Sequence, residues 1–517
     1  MANILNIQSL RTSNGTNVLT AAYGNSFYTY DSSLDSWTSA GVPITSAVNR
    51  WRSTVFVDKA FYVNGYTVVS AGTITPNDDP KRYDGTTWSN EYHSKKMPLA
   101  RYIHTIGEVS RVFIANLYYK AEAKAYPNRV WFCDLPKAGD ITWGFEEGTN
   151  MSGTLGSTQV SVPAGNIRFK SRGIKIGDAL TLPNDTTRKE YNVAEVITET
   201  QLILTEPLES TLSNVTFWVG SNYFDVVPDD GDEIFGLGDN NGLLLIFKRN
   251  SLWKYDRTSL RKIKGVPGTT SQESVVNIGP YTYYFADNGI WRTDGVGAEM
   301  ISRPIQDYID GISSDNFDKI QAWVTGSSLE TLRVFVGDVA NTDEGLIVTN
   351  CILDFDTAAE KWAPGRLADT IVARTEAIEG NERTVYIGND AEKIHIDNMG
   401  NTDDGVPIEW MVDTGVHFPA TPEVIAEISK ILVFVKHGRA MSIRYKLYGI
   451  PFKTQKEWVG SLGDITDDVT EFMISGQPGK ENTARGVGFQ MTESGNEKGP
   501  SVERIVVFYR PSTLRSL

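Results

Sequence analysis

The chain has 517 residues, 40% of them hydrophobic and 11% aromatic, with 46 glycines and a formal charge of −15. That length exceeds one ordinary core and implies two or three folded units; the composition excludes a largely disordered chain, and the acidic balance argues against general adhesion to nucleic acid, whose binders are net basic. The longest apolar runs, Leu243 to Phe247 and Ile431 to Val435, are far too short to span a bilayer as a helix, and no basic region followed by an apolar block opens the chain, so neither anchoring nor export is expected.

Along the chain, alternation dominates and helical periodicity is scarce. Ser53 to Val57, Lys59 to Val63, Arg111 to Ala115 and Thr384 to Ile387 all read as strands between turn residues, and the best helix candidate is the short stretch Pro304 to Ile312. One phrase keeps returning: a strand, an aromatic, an Asp, a turn and a Trp. It runs from Tyr28-Thr29-Tyr30-Asp31 to Trp37, through Arg82-Tyr83-Asp84-Gly85-Thr86-Thr87-Trp88, from Trp131-Phe132-Cys133-Asp134 to Trp143, then Leu252-Trp253-Lys254-Tyr255-Asp256, Ile290-Trp291-Arg292-Thr293-Asp294 and Asp354-Phe355-Asp356 to Trp362. A degenerate phrase of this kind is what similar four-stranded blades write, and it predicts an all-β chain built on a β-propeller.

Two stretches break the repeat. From Gly144 to Ser221 the strands Glu190 to Val193 and Gln201 to Thr205 sit between tight turns, the pattern of a small β-barrel inserted into a blade, because the blade phrase stops at Trp143 and resumes at Asn222-Tyr223-Phe224-Asp225. From Asn401 onward Ile408 to Val412, Lys430 to Lys436, Met441 to Tyr448, Phe472 to Ile474, Ala484 to Met491 and Val502 to Tyr509 are evenly spaced strands, as in a jelly-roll-like β-sandwich. The predicted order is propeller over 1–143, inserted barrel over 144–221, propeller again over 222–400 and sandwich over 401–517.

Chemistry is hard to find in these residues. His93, His104, His395, His417 and His437 stand singly, with no neighbour at metal-ligand spacing, and Cys133 and Cys351 sit in apolar strands where buried thiols are expected. Gly236-Leu237-Gly238, followed by Asp239-Asn240-Asn241-Gly242, lacks the spacing and the helix of a phosphate loop and reads as a hairpin turn. The acidic runs Asp229-Asp230-Gly231-Asp232-Glu233 and Asn401 to Gly405 do not follow a calcium-loop spacing and read as solvated turns. No catalytic set, metal site or cofactor site is expected. One basic run opposes the net charge: Lys248, Arg249, Lys254, Arg257, Arg261, Lys262 and Lys264, interleaved with Trp253 and Tyr255, which suits a subunit interface or a DNA-facing patch.

The runs Asn128-Arg129-Val130-Trp131-Phe132-Cys133-Asp134-Leu135, Phe224 to Ile234, Leu244 to Trp253 and Tyr283 to Trp291 resemble the propeller of tail nozzle and hub proteins of short-tailed bacteriophages, including the tail tubular proteins of the T7-like group and the packaged-DNA stabilisation protein of the P22-like group. The resemblance implies a non-enzymatic virion protein of the tail, made in the host cytoplasm and assembled as six copies beneath portal and adaptor. It further implies contacts with fibres or spikes, and double-stranded DNA passing through the channel without sequence-specific binding. The alternative is a kelch-like propeller for protein or carbohydrate binding, as in a receptor-binding tail component. A propeller glycosidase is the third reading, and it would need a carboxylate pair or a Tyr nucleophile with an Arg cluster.

Overall fold

The computed structural model describes residues 4–397 apart from positions 16, 33, 221, 229, 258 and 368 and the stretches 46–49, 70–72, 92–96, 121–122, 134–135, 137–142, 144–145, 166–167, 172–173, 183–189, 326–330, 342–345 and 380–381. Beyond these it describes 402–403, 406–407, 410–413, 426–436, 441–448, 458–465, 469–473, 483–484, 486–493 and 501–511. The chain falls into two compact units, Met1–Asn398 and Met399–Leu517.

The first unit is a seven-bladed β-propeller carrying a closed barrel. Blade 1 is the antiparallel meander Ile4–Arg11, Asn17–Tyr23, Ser26–Asp31 and Ser36–Pro43, and blade 2 joins Arg52–Phe56, Lys59–Val63, Lys81–Tyr83 and Trp88–Asn90. Blade 3 is Leu99–Ile106, Arg111–Tyr119, Lys124–Phe132 and Tyr223–Asp225; blade 4 is Ile234–Asn240, Leu243–Lys248, Leu252–Tyr255 and Leu260–Ile263. Blade 5 runs Val276–Ile278, Tyr281–Ala286, Gly289–Thr293 and Ala298–Met300, and blade 6 Gln321–Thr325, Thr331–Asn341, Leu346–Asp356 and Lys361–Arg366. Blade 7 has three strands among the described residues, Ile371–Glu379, Glu382–Asn389 and Ile394–Ile396. Between blades 5 and 6 the predicted helical stretch forms a 3-10 turn, Arg303–Ile305, and one α-helical turn, Gln306–Asp310.

The burial of each strand follows its rank in the blade. Second strands such as Leu243–Lys248 and Tyr281–Ala286 are buried on both faces between neighbouring blades, which is why they read as continuous apolar runs rather than alternating ones. Fourth strands such as Ser36–Pro43 and Lys361–Arg366 are largely exposed. The ring closes where the first strands of blades 1 and 7 meet: the Ser9 amide donates to Thr375 Oγ1 at 3.0 Å, Tyr23 donates to Glu392 Oε2 at 2.6 Å, and Ile4 and Ile7 pack on Ala373.

The returning phrase is the hairpin from third to fourth strand. In blades 1, 2 and 6 the aromatic before the Asp lies opposite the Trp across the hairpin, with ring centroids 5.3 Å apart for Tyr30 and Trp37, 4.7 Å for Tyr83 and Trp88 and 4.8 Å for Phe355 and Trp362. The Asp then caps the turn by accepting backbone N–H groups two and three residues on: Asp84 from Thr86 and Thr87 at 3.0 and 2.8 Å, Asp294 from Val296 and Gly297 at 2.8 and 2.9 Å, and Asp356 from Ala358 and Ala359 at 2.9 and 2.8 Å. Trp362 also donates Nε1 to the Ile301 carbonyl at 2.9 Å, tying blade 6 to the segment after blade 5.

The barrel leaves the propeller between the third and fourth strands of blade 3. Its strands Glu146–Gly153, Gln159–Ser161, Ala179–Thr181, Glu190–Val196, Gln201–Leu204 and Leu212–Gly220 close on themselves around Met151, Phe169, Tyr191, Leu202 and Phe217. The blade resumes directly, with Arg129, Val130 and Trp131 paired to Asp225, Phe224 and Tyr223.

Among the described residues the second unit has two larger antiparallel sheets, one of Trp410–Asp413, Gly486–Glu493, Met441–Tyr448 and Trp458–Ile465, the other of Val469–Met473, Ala426–Lys436, Thr483–Ala484 and Ser501–Pro511, and a two-stranded one of Thr402–Asp403 and Val406–Pro407. Alternate residues are buried, Ile431 and Val433 on one sheet and Ile443, Tyr445, Leu447, Val487, Phe489 and Met491 on the other, as the inner faces of a sandwich require. The all-β class, the barrel and the terminal sandwich thus agree with the sequence expectation. One local reading is corrected. Gly236 and Gly238 lie inside the first strand of blade 4 and the turn is at Asn241 and Gly242, because a side chain at 238 would come within 2.8 Å of Val275 Cγ1 and one at 236 within 3.2 Å of Gln272 Oε1.

Candidate functional site

The first strands of all seven blades converge on a cavity of about 520 Å³ at the propeller axis. Its wall includes Asn6 and Gln8 from blade 1, Arg50, Arg52, Ser53 and Thr54 at blade 2, His104 from blade 3, Gln272, Glu273 and Asn277 at blade 5, Gln321 from blade 6 and Arg374, Glu376 and Arg383 from blade 7. Inner strands supply most of these groups, because successive side chains alternate faces and every second residue of an apolar strand can be spent on the axis; Arg50, Gln272 and Glu273 come from the segments leading into such strands and Arg383 from the second strand of blade 7.

Glu273 is the centre of this wall. It lies on the 3-10 turn Gln272–Ser274, which Gln272 pins to blade 4 by donating Nε2 to the Leu237 carbonyl at 2.6 Å. Its side chain is only 16% exposed and faces two guanidiniums, Arg52 Nε at 3.0 Å from Oε1 and Arg50 Nη1 at 3.3 Å from Oε2, while Ser271 Oγ donates to Oε2 at 3.2 Å. Burial pushes its carboxyl up, but the Arg52 and Arg50 charges outweigh burial and hold it at about 2. Each arginine is braced: Arg50 donates to the Val372 carbonyl at 3.0 Å, Arg52 to the Arg101 carbonyl at 3.2 Å, and Arg52 lies over the Tyr102 ring at 4.7 Å. From blade 7, Arg374 donates Nη2 to the Glu273 backbone carbonyl at 3.1 Å.

The rest of the polar lining is neutral or paired. His104 Nε2 is 2.7 Å from Asp239 Oδ1, to which Asn277 also donates at 2.9 Å. Burial acts to raise the Asp239 carboxyl, yet the His104 and Asn277 hydrogen bonds leave it below the usual range. Ser53 Oγ lies 2.7 Å from Gln8 Oε1 and Thr54 donates to Thr105 Oγ1 at 2.8 Å.

The basic run predicted from the sequence lies elsewhere, on blade 4, and it divides. Lys248 is wholly buried, its Nζ 2.7 Å from Asp230 Oδ1 and 3.0 Å from the Val227 carbonyl, so its charge never reaches the surface. Arg249 pairs with Asp287 at 3.1 Å and Lys254 donates to the Gly295 carbonyl at 2.8 Å. Arg257, Arg261, Lys262 and Lys264 are exposed, on or next to the outermost strand. The first acidic run is an exposed turn, as expected, whose carboxylates also bond within the chain: Asp230 holds Lys248, Asp232 accepts from the Arg249 and Asn250 amides at 3.1 and 3.0 Å, and Glu233 pairs with Arg101 at 3.3 Å. Asp229, most of the second acidic run, His93, His417 and His437 lie outside the described residues. Cys133 and Cys351 are buried, and burial pushes the Cys351 thiol up to about 12. Among the described residues no three His, Cys, Asp or Glu side chains stand together as a metal site would need, and no helix is long and apolar enough to cross a membrane.

These features define a class: a seven-bladed β-propeller with a charged, amide-rich cavity at its axis. No protein-family model matches the chain, and no curated protein matches it. Among solved structures it is similar to the phage phi92 endosialidase, at 10% identity over 91% of this chain and 74% of that one with a TM-score of 0.23. It is also similar to YjhT, at 8% identity over 76% and 94% with a TM-score of 0.27, and to Porphyromonas gingivalis dipeptidyl peptidase 4, at 10% identity over 83% and 65% with a TM-score of 0.27. At TM-scores this low the likenesses carry no argument about the site, and the fold class rests on the strand pairing.

Proposed function

We propose that this protein is a carbohydrate-binding propeller whose ligand enters the axial cavity. The observation that carries the reading is the lining: Asn6, Gln8, Ser53, Thr54, Asn277 and Gln321, with side-chain amides and hydroxyls, are among the residues around a space of about 520 Å³, within the range of small-molecule sites. Sugar hydroxyls both donate and accept, and side-chain amides match them with one donor and one acceptor each. Glu273, held at about 2 by its arginines, is ionised near neutral pH and is not a general acid there; binding is the reading we carry to the test. The test is a glycan array with the whole protein, repeated with Ser53→Trp to fill the cavity. Saturable binding abolished by that change, with the melting temperature retained, supports the reading; binding that survives it sinks it.

A ring-forming tail component is the second reading. The exposed cations Arg261, Lys262 and Lys264 on the outer edge of blade 4 favour it, because an acidic chain that associates with itself gains from a localised basic face. Mass photometry at low salt should show oligomers that Arg261→Glu with Lys262→Glu dissociates; a monomer throughout would remove this reading.

A further inference from the structure

We infer that the carbohydrate is an acidic sugar, and that its carboxylate is the missing counter-ion of Arg374 at the blade 7 wall of the axial cavity. The inference rests on the carbohydrate-binding reading for the sugar and on the charges alone for the acid. Four guanidiniums line the cavity, Arg50, Arg52, Arg374 and Arg383, against two carboxylates, Glu273 and Glu376. Glu273 is taken by Arg50 and Arg52 at 3.3 and 3.0 Å, and Glu376 pairs with Arg383 at 3.6 Å.

Arg374 is left over. Its Nη2 donates to the neutral carbonyl of Glu273, its Nε is buried without a hydrogen-bond partner, and no carboxylate lies within ion-pair distance of it among the described residues. Also in the lining, on blade 6, Gln321 is wholly buried; it donates Nε2 to the Ile371 carbonyl at 3.0 Å while its Oε1 accepts nothing among the described residues. Arg374 is half-buried at the cavity wall, so its guanidinium is only partly hydrated and gains from an anion brought within ion-pair distance. Burial lowers the Arg374 pKa, and the neighbouring Arg50 adds to that effect against the pull of Glu376 and Glu273, as expected of a site waiting for negative charge.

The chemistry favours a carboxylate. A guanidinium is a planar fork of donors that meets two coplanar oxygens, and Arg suits this better than Lys. Glu273 shows that this cavity already holds one carboxylate by guanidinium contacts, Arg52 on Oε1 and Arg50 on Oε2.

Calorimetric titration of the whole protein with galacturonic acid, galactose, galactose 6-sulfate and acetate separates the outcomes. Galacturonic acid should bind about tenfold more tightly than galactose, the gain of one charge-assisted contact. Arg374→Gln should bring it down to the galactose value, with Arg374→Lys between the two. In the ligand-free protein Arg374→Gln should not lower the melting temperature, since it removes an uncompensated charge, so loss of binding will not be loss of fold. Equal affinity for acid and neutral sugar, or an acid preference that survives Arg374→Gln, overturns the inference, as does a preference for the sulfate over the carboxylate. Acetate binding that depends on Arg374 without any sugar binding keeps the anion seat and ends the carbohydrate reading; no binding of any probe ends both.

Discussion

Glu273 concentrates the electrostatics of the axis. It is ionised in the fold down to about pH 2, whereas its ordinary value is 4.5, so the folded state binds its proton more weakly than the unfolded chain. Its contribution is therefore complete above pH 4.5 and is lost as pH falls from there toward 2, on the order of 3 kcal/mol in total. Glu273→Gln should flatten that part of the acid-stability curve, measured by urea unfolding at several pH values, and should cost about 3 to 5 kcal/mol near neutrality because it strands Arg50 and Arg52. Arg129 is a second such residue, 7% exposed, with Nε and Nη2 at 2.8 and 2.9 Å from the Asp225 oxygens and the guanidinium 4.1 and 4.0 Å from the Tyr126 and Tyr223 rings. Arg129→Met is expected to cost about 2 kcal/mol, less than a fully buried pair because Asp225 can rehydrate.

At the scale of elements, the third-to-fourth-strand hairpin is the unit of the fold. Its stabilising parts, a cross-strand aromatic pair and an Asp that caps the turn, lie within ten or so residues of one another, so each hairpin can be read from its own stretch of chain. Asp294→Ala removes two accepted N–H bonds at an exposed turn of blade 5 and should cost about 1 kcal/mol by thermal unfolding. Gly238 tests the opposite kind of contact. Gly238→Val would press on Val275, 2.8 Å from where the new Cβ would stand, at about 1 to 3 kcal/mol. Val275 follows the turn that bears Glu273, so ligand affinity at the axis should fall along with the melting temperature; unchanged affinity would separate that turn from the site.

At the scale of the whole molecule, the barrel is a side branch and the ring is the scaffold. The two points where the barrel joins blade 3 are adjacent, since the Phe132 amide donates to the Asn222 carbonyl at 2.8 Å. The barrel also has a core of its own. Replacing residues 146–220 by a short Gly-Ser linker should leave a cooperatively folded propeller, with Trp143 retained because its carbonyl accepts from Trp131 Nε1 at 2.8 Å. Binding at the axis should survive the deletion if the cavity belongs to the propeller alone, a comparison made by the same titration on both proteins.

The sequence by itself determined the strands, the blade hairpins, the barrel placed after Trp143 and the two-sheet pattern after Asn401, because each depends on alternation, turn chemistry and aromatic pairs over short stretches of chain. Six phrases marked six blades, and blade 7, which lacks the phrase, was visible only as the strand Thr384 to Ile387. Only the tertiary structure decided the blade number, the meeting of the first and last blades and the axial site. Arg50 lies 322 residues from the Val372 carbonyl it holds, and Glu273 comes from a third blade, so no spacing rule joins them. The basic run around Lys248 is contiguous in sequence, yet Lys248 is buried against Asp230, while the charges at the axis come from three widely separated stretches, Arg50 and Arg52, Glu273, and Arg374 to Arg383. Ring closure brings single residues from seven inner strands to one line, and that convergence, which no local pattern encodes, makes the site.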